Sequence, residues 1–356
     1  MGSSFGRLFR LTTFGESHGG ALGAVVEGCP PGIELDLQAV QAELDRRRPG
    51  QSSISTQRKE PDRIQVLSGL FEDRTLGTPI ALVAFNKDAD PSAYAPFKHL
   101  YRPSHADYTY EARYGLRNWQ GGGRASARET LARVAAGAIA KQVLAAEGVR
   151  ILGWTSAIGE LVYEGEPSSL EQVEANVVRC PDPQLAAAME ARIKQVRSQG
   201  DTIGGVVRCV ATGVPAGLGD PVFDKLEADL AKAMLSLPAC KGFESGSGYA
   251  GARMQASAHN DLFEPDGAGG VRTRSNHSGG IQGGISNGMP ITISAAFKPV
   301  ATIFREQDTV DQAGNAAVIK PRGRHDPCPV PRAVPIVEAM VALVLVDHLL
   351  RWKAIR

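Results

Sequence analysis

Apolar and polar positions along the chain fall into short runs of changing period. Residues 8–13 and 21–29 read as strands flanking the loop Phe14-Gly15-Glu16-Ser17-His18-Gly19-Gly20. Asp36 stands where an N-cap belongs, ahead of a short helix that runs out in Arg46-Arg47-Arg48-Pro49-Gly50. Strand character returns at 64–70 and 79–85, with β-branched residues and bounding glycines. An Ala-rich run predicts a helix over 127–144, with Ser126 as N-cap and Glu129, three residues on, completing a capping box. Beyond it, 149–162, 203–211 and 291–297 read as strands, and 185–196 and 223–235 as helices. The most apolar segment, 333–350, is interrupted by Pro335, Glu338 and Asp347 and is barely long enough to span a membrane. A buried core helix is the better expectation there.

Four long segments follow neither period: about 45–62, 86–125, 241–288 and 298–330. Irregular stretches of this length inside a compact protein more often serve a site than idle as linkers. The mixed order of strands and helices lacks regular βα alternation. It predicts an α+β fold, a layered sandwich with helices between antiparallel sheets, and not a doubly wound Rossmann sheet.

Chemistry concentrates in residues 102–144. His105 and Asp107 open this stretch, Arg102, Arg113, Arg117, Arg124 and Arg128 punctuate it, and Gly121-Gly122-Gly123 leads into the Ala-rich helix. A glycine turn emptying into a helix start exposes N–H groups at the positive end of the helix dipole. With arginines beside it, the pattern points to a multiply charged anion. Net charge is only +1, so no global field draws the chain to nucleic acid or a membrane, and the arginines act locally. Five cysteines are scattered without a Cys-x-x-Cys pair, and the first residues lack the apolar run of a signal peptide. Both features lead to an expectation of a cytoplasmic protein with reduced thiols.

Two spellings are decoys. Gly246-Ser-Gly248-Tyr-Ala-Gly251 matches a dinucleotide fingerprint, but no strand is expected before it and a polar segment follows. Gly284-Ile-Ser286-Asn-Gly288 spells a nucleophile elbow, yet a glycine-rich loop precedes it and a strand follows. The seven histidines show no metal-type spacing, and His325 with Cys328 in a proline-rich turn is a weak pair, so no metal is expected. His18, His105 and His325 differ from the others. Each lies in a Gly- or Pro-punctuated loop beside acids, arginines or hydroxyls, as a general acid for an anionic leaving group requires.

Gly15-Glu16-Ser17-His18-Gly19, Arg46-Arg47-Arg48-Pro49-Gly50, His105-Ala106-Asp107-Tyr108, Ser126-Ala127-Arg128-Glu129-Thr130 and Gly323-Arg324-His325-Asp326-Pro327-Cys328 occur in this order. Asn276-His277-Ser278-Gly279-Gly280-Ile281 and Arg332-Ala333-Val334-Pro335 join them. Together they resemble the chorismate synthase family from about residue 6 to residue 350. The resemblance implies a single catalytic domain converting 5-enolpyruvylshikimate-3-phosphate to chorismate and phosphate by 1,4-anti elimination. This is the last common step toward the aromatic amino acids. It implies reduced FMN as cofactor, NADPH only indirectly for flavin reduction, and a homotetramer. Whether the chain reduces its own flavin or relies on a separate flavin reductase stays open.

Position by position, the resemblance implies that Arg47, Arg48, Arg102, Arg128 and Arg324 grip the substrate's anionic groups. His18 matches the histidine that protonates the departing phosphate, and His105 the one beside the flavin's pyrimidine edge. Asp326 matches the acid near flavin N5 that takes part in removing the ring proton. Arg124, Ala125, Ser126, Ala239, Gly283, the run Lys298, Pro299, Val300, Ala301 and Thr302, and again Arg324 match flavin contacts. Ser53, Ser104, Ala125 and Pro238 depart from the family's usual residues; Ser104 replaces a usual glycine, and Ser53 weakens any NADP role for its loop. Two other readings compete: a non-catalytic flavin or anion binder on the same scaffold, and an NAD(P)H-dependent flavin reductase. Retention of His18, His105 and Asp326 speaks against the first, and the lack of a credible dinucleotide loop against the second.

Overall fold

The computed structural model describes every residue except 1, 57, 91 and 322–324. Two five-stranded antiparallel sheets organise it. In the first, β1 (Arg10–Gly15), β2 (Ala21–Glu27) and β3 (Ile80–Phe85) lie side by side, with Ser4–Phe5 and Gln65–Val66 on the two edges. In the second, the order is β6 (Cys240–Ser245), β7 (Ile291–Phe297), β5 (Gly205–Thr212), β4 (Arg150–Ile158) and a short edge at Leu161–Val162. β7 buries alternate residues from Ile291 to Phe297, the pattern of a strand with one covered face.

The larger helices are α1 (Leu37–Arg47), α2 (Asp107–Tyr114), α3 (Thr130–Ala145), α4 (Pro183–Ser198), α5 (Leu226–Leu235) and α6 (Val330–Ala354). Asp36 caps α1 by accepting from the N–H groups of Gln38 and Ala39 at 2.7 and 3.1 Å. α3 packs on β1 and β2 of the first sheet, α6 packs on β4 and β5 of the second, and the two helices pack on each other. Their crossing is close enough that a Cβ on Gly137 would stand 2.4 Å from the Cβ of Ala339.

α6 is long and apolar enough to cross a membrane, yet it is enclosed by the rest of the fold, as a helix apolar all round must be in a folded core. Its polar interruptions are fasteners. Glu338 accepts from Arg46 and Lys141, each at 2.6 Å, and from the N–H of Gly153 at 2.9 Å. Burial alone would raise the pKa of Glu338, but the two cations outweigh it and hold the carboxyl well below its ordinary range. One carboxylate oxygen of Asp347 accepts from the N–H groups of Arg7, Leu8 and Phe9 at 2.9, 2.7 and 3.0 Å, tying the start of the chain to its last helix. All five cysteines are free and buried, and burial pushes the thiols of Cys29 and Cys328 up to about 11 and about 12, so neither is a ready nucleophile.

The expected elements recur, with several differences. Residues 149–162 turn at Gly159, so they form β4 and a returning edge strand. Of 64–70, only Gln65–Val66 and the first residue of a second short strand, Leu70–Phe71, pair. α2 and β6 were not expected; both lie in segments read as irregular.

Candidate active site

A cavity of about 590 Å³ opens where loops from both sheets meet the start of α6, a size within the range of small-molecule sites. Ser17 and His18 reach it from the β1–β2 loop, Arg47 and Pro49 from the end of α1, and Thr56 and Arg58 from the segment that follows. Arg102, Ser104 to Ala106, Gly121 and Ala125 to Arg128 form another wall. Pro238 and Ala239, Lys298 with Val300 to Thr302, and His325, Asp326 and Arg332 also line the cavity.

The glycine turn separates His18 from His105. Gly121, Gly122 and Gly123 all have left-handed backbones, with φ of +66°, +86° and +53°. A Cβ on Gly121 would lie 2.1 Å from His18 Cε1, and one on Gly122 would lie 3.1 Å from His105 Cε1. His18 Nδ1 is 3.0 Å from Ser17 Oγ, and its ring meets Tyr94 edge-on at 5.4 Å. Arg58, held by Glu60 at 2.7 Å, donates to Ser17 Oγ at 3.2 Å and so fixes the hydroxyl that meets His18 Nδ1.

His105 is held differently. Its Nδ1 is 2.9 Å from Asp107, and an ionised carboxylate only accepts, so Nδ1 carries a proton and Nε2 is left as the acceptor. Asp107 is also gripped by Arg102 through two bonds of 2.8 Å and by Arg117 at 2.9 Å. Burial lowers the pKa of His105, and Arg102 and Arg117 push the same way against Asp107, so the imidazole is neutral at neutral pH. Ser104, just before it, has φ +57°, the left-handed conformation that glycine adopts without strain.

Arg47 and Arg128 form the anion-facing wall. Asp62 lies between them, 2.5 Å from Arg47 Nη2 and 2.9 Å from Arg128 Nη1. Burial would raise the Asp62 carboxyl, but the two guanidiniums hold it below its ordinary value. Arg47 is fully buried, and desolvation, with Arg332 and Arg128 nearby, pushes it down to about 10 despite Asp62. Arg47 Nε has no hydrogen-bond partner among the described residues, while Arg128 Nη2 is ion-paired with Glu60 at 3.5 Å. A buried donor like Arg47 Nε costs free energy until an acceptor arrives.

Asp326 is fixed from behind. Oδ1 accepts from the N–H of Thr56 at 2.9 Å, and Oδ2 takes a short hydrogen bond from Arg332 Nη1. Arg332 Nε donates in turn to the carbonyl of Arg47 at 2.9 Å. Next to Asp326, burial lowers the pKa of His325, whose Nε2 is buried with no partner among the described residues. Lys298, which donates to the carbonyl of Pro299 at 3.3 Å, is lowered by burial and by Lys241.

The cavity therefore gathers His18, His105, Asp326, Arg47, Arg102, Arg128, Ala125, Ser126, Ala239, Lys298, Val300, Ala301 and Thr302. Other expected residues lie elsewhere. Arg48 is half-exposed and 3.9 Å from Asp45. Arg124 turns to β1, donating to the carbonyl of Gly15 at 3.1 Å and to Thr13 at 2.8 Å. Gly283 is in the turn of a small hairpin, Ile281–Gln282 with Ile285–Ser286, outside the cavity lining, as is Pro299. Arg324 lies outside the described residues. Arg58, Tyr94, Thr56 and Arg332 line the cavity without having been singled out as ligands. The only signal for Arg58 was its spacing to Glu60 within a polar run.

The capping box takes another form. Ser126 Oγ accepts from Arg128 N–H at 3.4 Å across a 3-10 turn, Ala127–Glu129, and α3 proper starts at Thr130. Glu129 turns away to Thr13 at 2.9 Å and Arg133 at 2.8 Å. The dinucleotide spelling at Gly246 does follow a strand, β6, but that strand is an antiparallel edge and the helix after it is one turn, Gly248–Gly251. Ser286 is buried, donating to the carbonyl of Pro215 at 2.6 Å and accepting from the N–H of Leu218 at 2.8 Å, which is a structural role.

Comparison with known proteins gives this site a family. The family model described as chorismate synthase matches residues 9–350. The chain is 60% identical over 357 residues to the chorismate synthase of Acaryochloris marina (strain MBIC 11017), covering 99% of this chain and 98% of that protein. It is 62% identical over 356 residues to that of Synechococcus sp. (strain JA-2-3B'a(2-13)), covering 99% and 94%. A crystal structure of chorismate synthase superposes with a TM-score of 0.77 at 32% identity, covering 98% of this chain and 93% of that one. The chain belongs to the chorismate synthase family.

Proposed function

We propose that the chain converts 5-enolpyruvylshikimate-3-phosphate to chorismate and phosphate by 1,4-anti elimination, in the cavity between the two histidines and Asp326. The observation that carries this reading is one cavity lined by Arg47, Arg102 and Arg128 together with His18, His105 and Asp326. A substrate with two carboxylates and a phosphate matches such a cluster of guanidiniums.

His18 in its imidazolium form gives a proton to the departing phosphate and is left as neutral imidazole, with Ser17 Oγ holding Nδ1. Asp326, oriented by Arg332 and Thr56, takes the ring proton. His105 offers Nε2 to the cofactor's edge while Asp107 holds Nδ1. Arg102, fastened to Asp107, keeps that wall positive.

The residues present fit reduced FMN. Lys298 and the 125–127 turn, which line the cavity, and the buried Nε2 of His325, which has no partner among the described residues, would offer donors to its phosphate and ring. Reduced FMN supplies an electron-rich ring that eases phosphate departure with no net redox change. NADPH serves only to reduce it, through this chain or a separate reductase.

The same reading takes the fold as a β-α-β sandwich of one domain, supported by α3 against one sheet and α6 against the other. It takes the working form as a cytoplasmic homotetramer, in line with five buried, free thiols. The test is anaerobic release of phosphate and chorismate from the purified protein with substrate and reduced FMN. Stoichiometric release supports the reading. Tight substrate binding with no release returns the chain to a binder, and NADPH oxidation without release to a reductase.

A further inference from the structure

We propose that Arg332 is a positioning residue that acts through Asp326, holding the plane of its carboxylate toward the cavity, and is not itself a substrate ligand. The inference rests on the proposed role of Asp326 as the group that takes the ring proton.

A carboxylate has about four lone-pair directions on its two oxygens. Thr56 N–H occupies one on Oδ1 and Arg332 Nη1 one on Oδ2, so both oxygens are held at once and the carboxylate cannot rotate about its axis without breaking a bond. Arg332 is itself immobilised. Its backbone lies in the first turn of α6, and its Nε is bonded to the carbonyl of Arg47, the last residue of α1. A guanidinium is planar, so fixing Nε and Nη1 fixes the whole fork.

The loop carrying Asp326 gains one more tie where Ile203 N–H donates to the carbonyl of Pro327 at 2.9 Å. Among the described residues, the charged and titratable groups that interact with Asp326 are Arg332 on α6 and His325 and Cys328 on its own loop. Arg332 differs from the anion-facing Arg47. Arg47 keeps a buried Nε without a partner among the described residues, whereas Arg332 commits Nε and Nη1 to protein oxygens.

The experiment is anaerobic steady-state kinetics with 5-enolpyruvylshikimate-3-phosphate and reduced FMN on Arg332→Ala, Arg332→Lys, Asp326→Asn and the double variant Asp326→Asn/Arg332→Ala. Arg332→Ala is expected to lower kcat by about 10²-fold, the scale for a catalytic group loosened from its geometry, with KM near that of the parent. Added guanidinium should restore part of the loss. Arg332→Lys, which keeps the charge but not the fork, should fall between, and it remains informative if the alanine variant does not fold. In the Asp326→Asn background, Arg332→Ala should cost nothing more. A raised KM with kcat preserved, or full additivity in the double variant, overturns the proposal and makes Arg332 a direct ligand or an independent group. Parent-level turnover in Asp326→Asn overturns the role of Asp326 and the positioning role with it, an outcome distinct from the first two.

Discussion

Gly121 and His18 share one volume: a side chain on the glycine would occupy the imidazole's place, with its Cβ 2.1 Å from Cε1. Gly121→Ala is therefore expected to displace His18 and to strain a backbone at φ +66°. The loss should fall on kcat, by about 10²-fold or more, with modest change in melting temperature. A variant with parent kcat would show that His18 need not sit there.

The two histidines should separate by assay. His18→Ala is expected to slow the chemical step about 10²–10⁴-fold while substrate and flavin still bind. His105→Ala should instead change the ionisation of bound reduced flavin and recover partly at lower pH. Absorbance titration of bound reduced flavin in both variants checks this, and an identical shift in both would reverse the assignment.

Arg128→Ala should weaken substrate binding by roughly 1.5–3 kcal/mol, the scale for a hydrogen bond to a charged group. Arg48→Ala, whose side chain pairs only loosely with Asp45 at the surface, should bind substrate nearly as the parent does. Arg47→Ala leaves Asp62 buried with only one cation, and should destabilise the fold by about 3–5 kcal/mol. Isothermal titration with substrate, paired with urea melts, distinguishes the three.

Burial lowers both His105 and His325 from the ordinary value of 6.5. In the unfolded chain both protonate first as pH falls, so the folded state loses stability below that value. The stability is fully present above the unfolded pKa and is lost as pH falls through the folded one. Urea midpoints at about pH 7.5 and about pH 5.5 should show the loss, and His325→Gln should shrink it.

At the helix crossing, Gly137→Ala places a methyl 2.4 Å from Ala339 Cβ and should cost about 1–3 kcal/mol by overpacking. Ala339→Gly in the same chain should return part of it, since the clash includes the Ala339 methyl. Melting of the single and double variants measures the return.

Much of this was legible because periodicity reports burial. β7 was read to the residue, and the apolar run of α6 was rightly placed in the core. α2 was not legible: Asp-Tyr-Thr-Tyr-Glu-Ala-Arg-Tyr has no apolar stripe, because its Asp107 faces inward to Arg102, His105 and Arg117. The polar run at 51–62 follows no period, yet Arg58, Glu60 and Asp62 are buried, Arg58 pairing with Glu60 and both acids pairing with Arg128, more than sixty residues on. Composition cannot show such pairing. Motifs drew attention to Arg332, but only the structure shows that it reaches Asp326 and Arg47 together.

The carboxylate of Asp347 clasps the peptide groups of Arg7, Leu8 and Phe9, and α6 lies against the sheet that follows α3. During synthesis the first strands emerge long before the helix that must cover this core, so the nascent chain carries an open apolar face until its final segment leaves the ribosome. A ribosome-bound chain stalled before Val330 should be readily cut by protease, and release of the full chain should confer resistance.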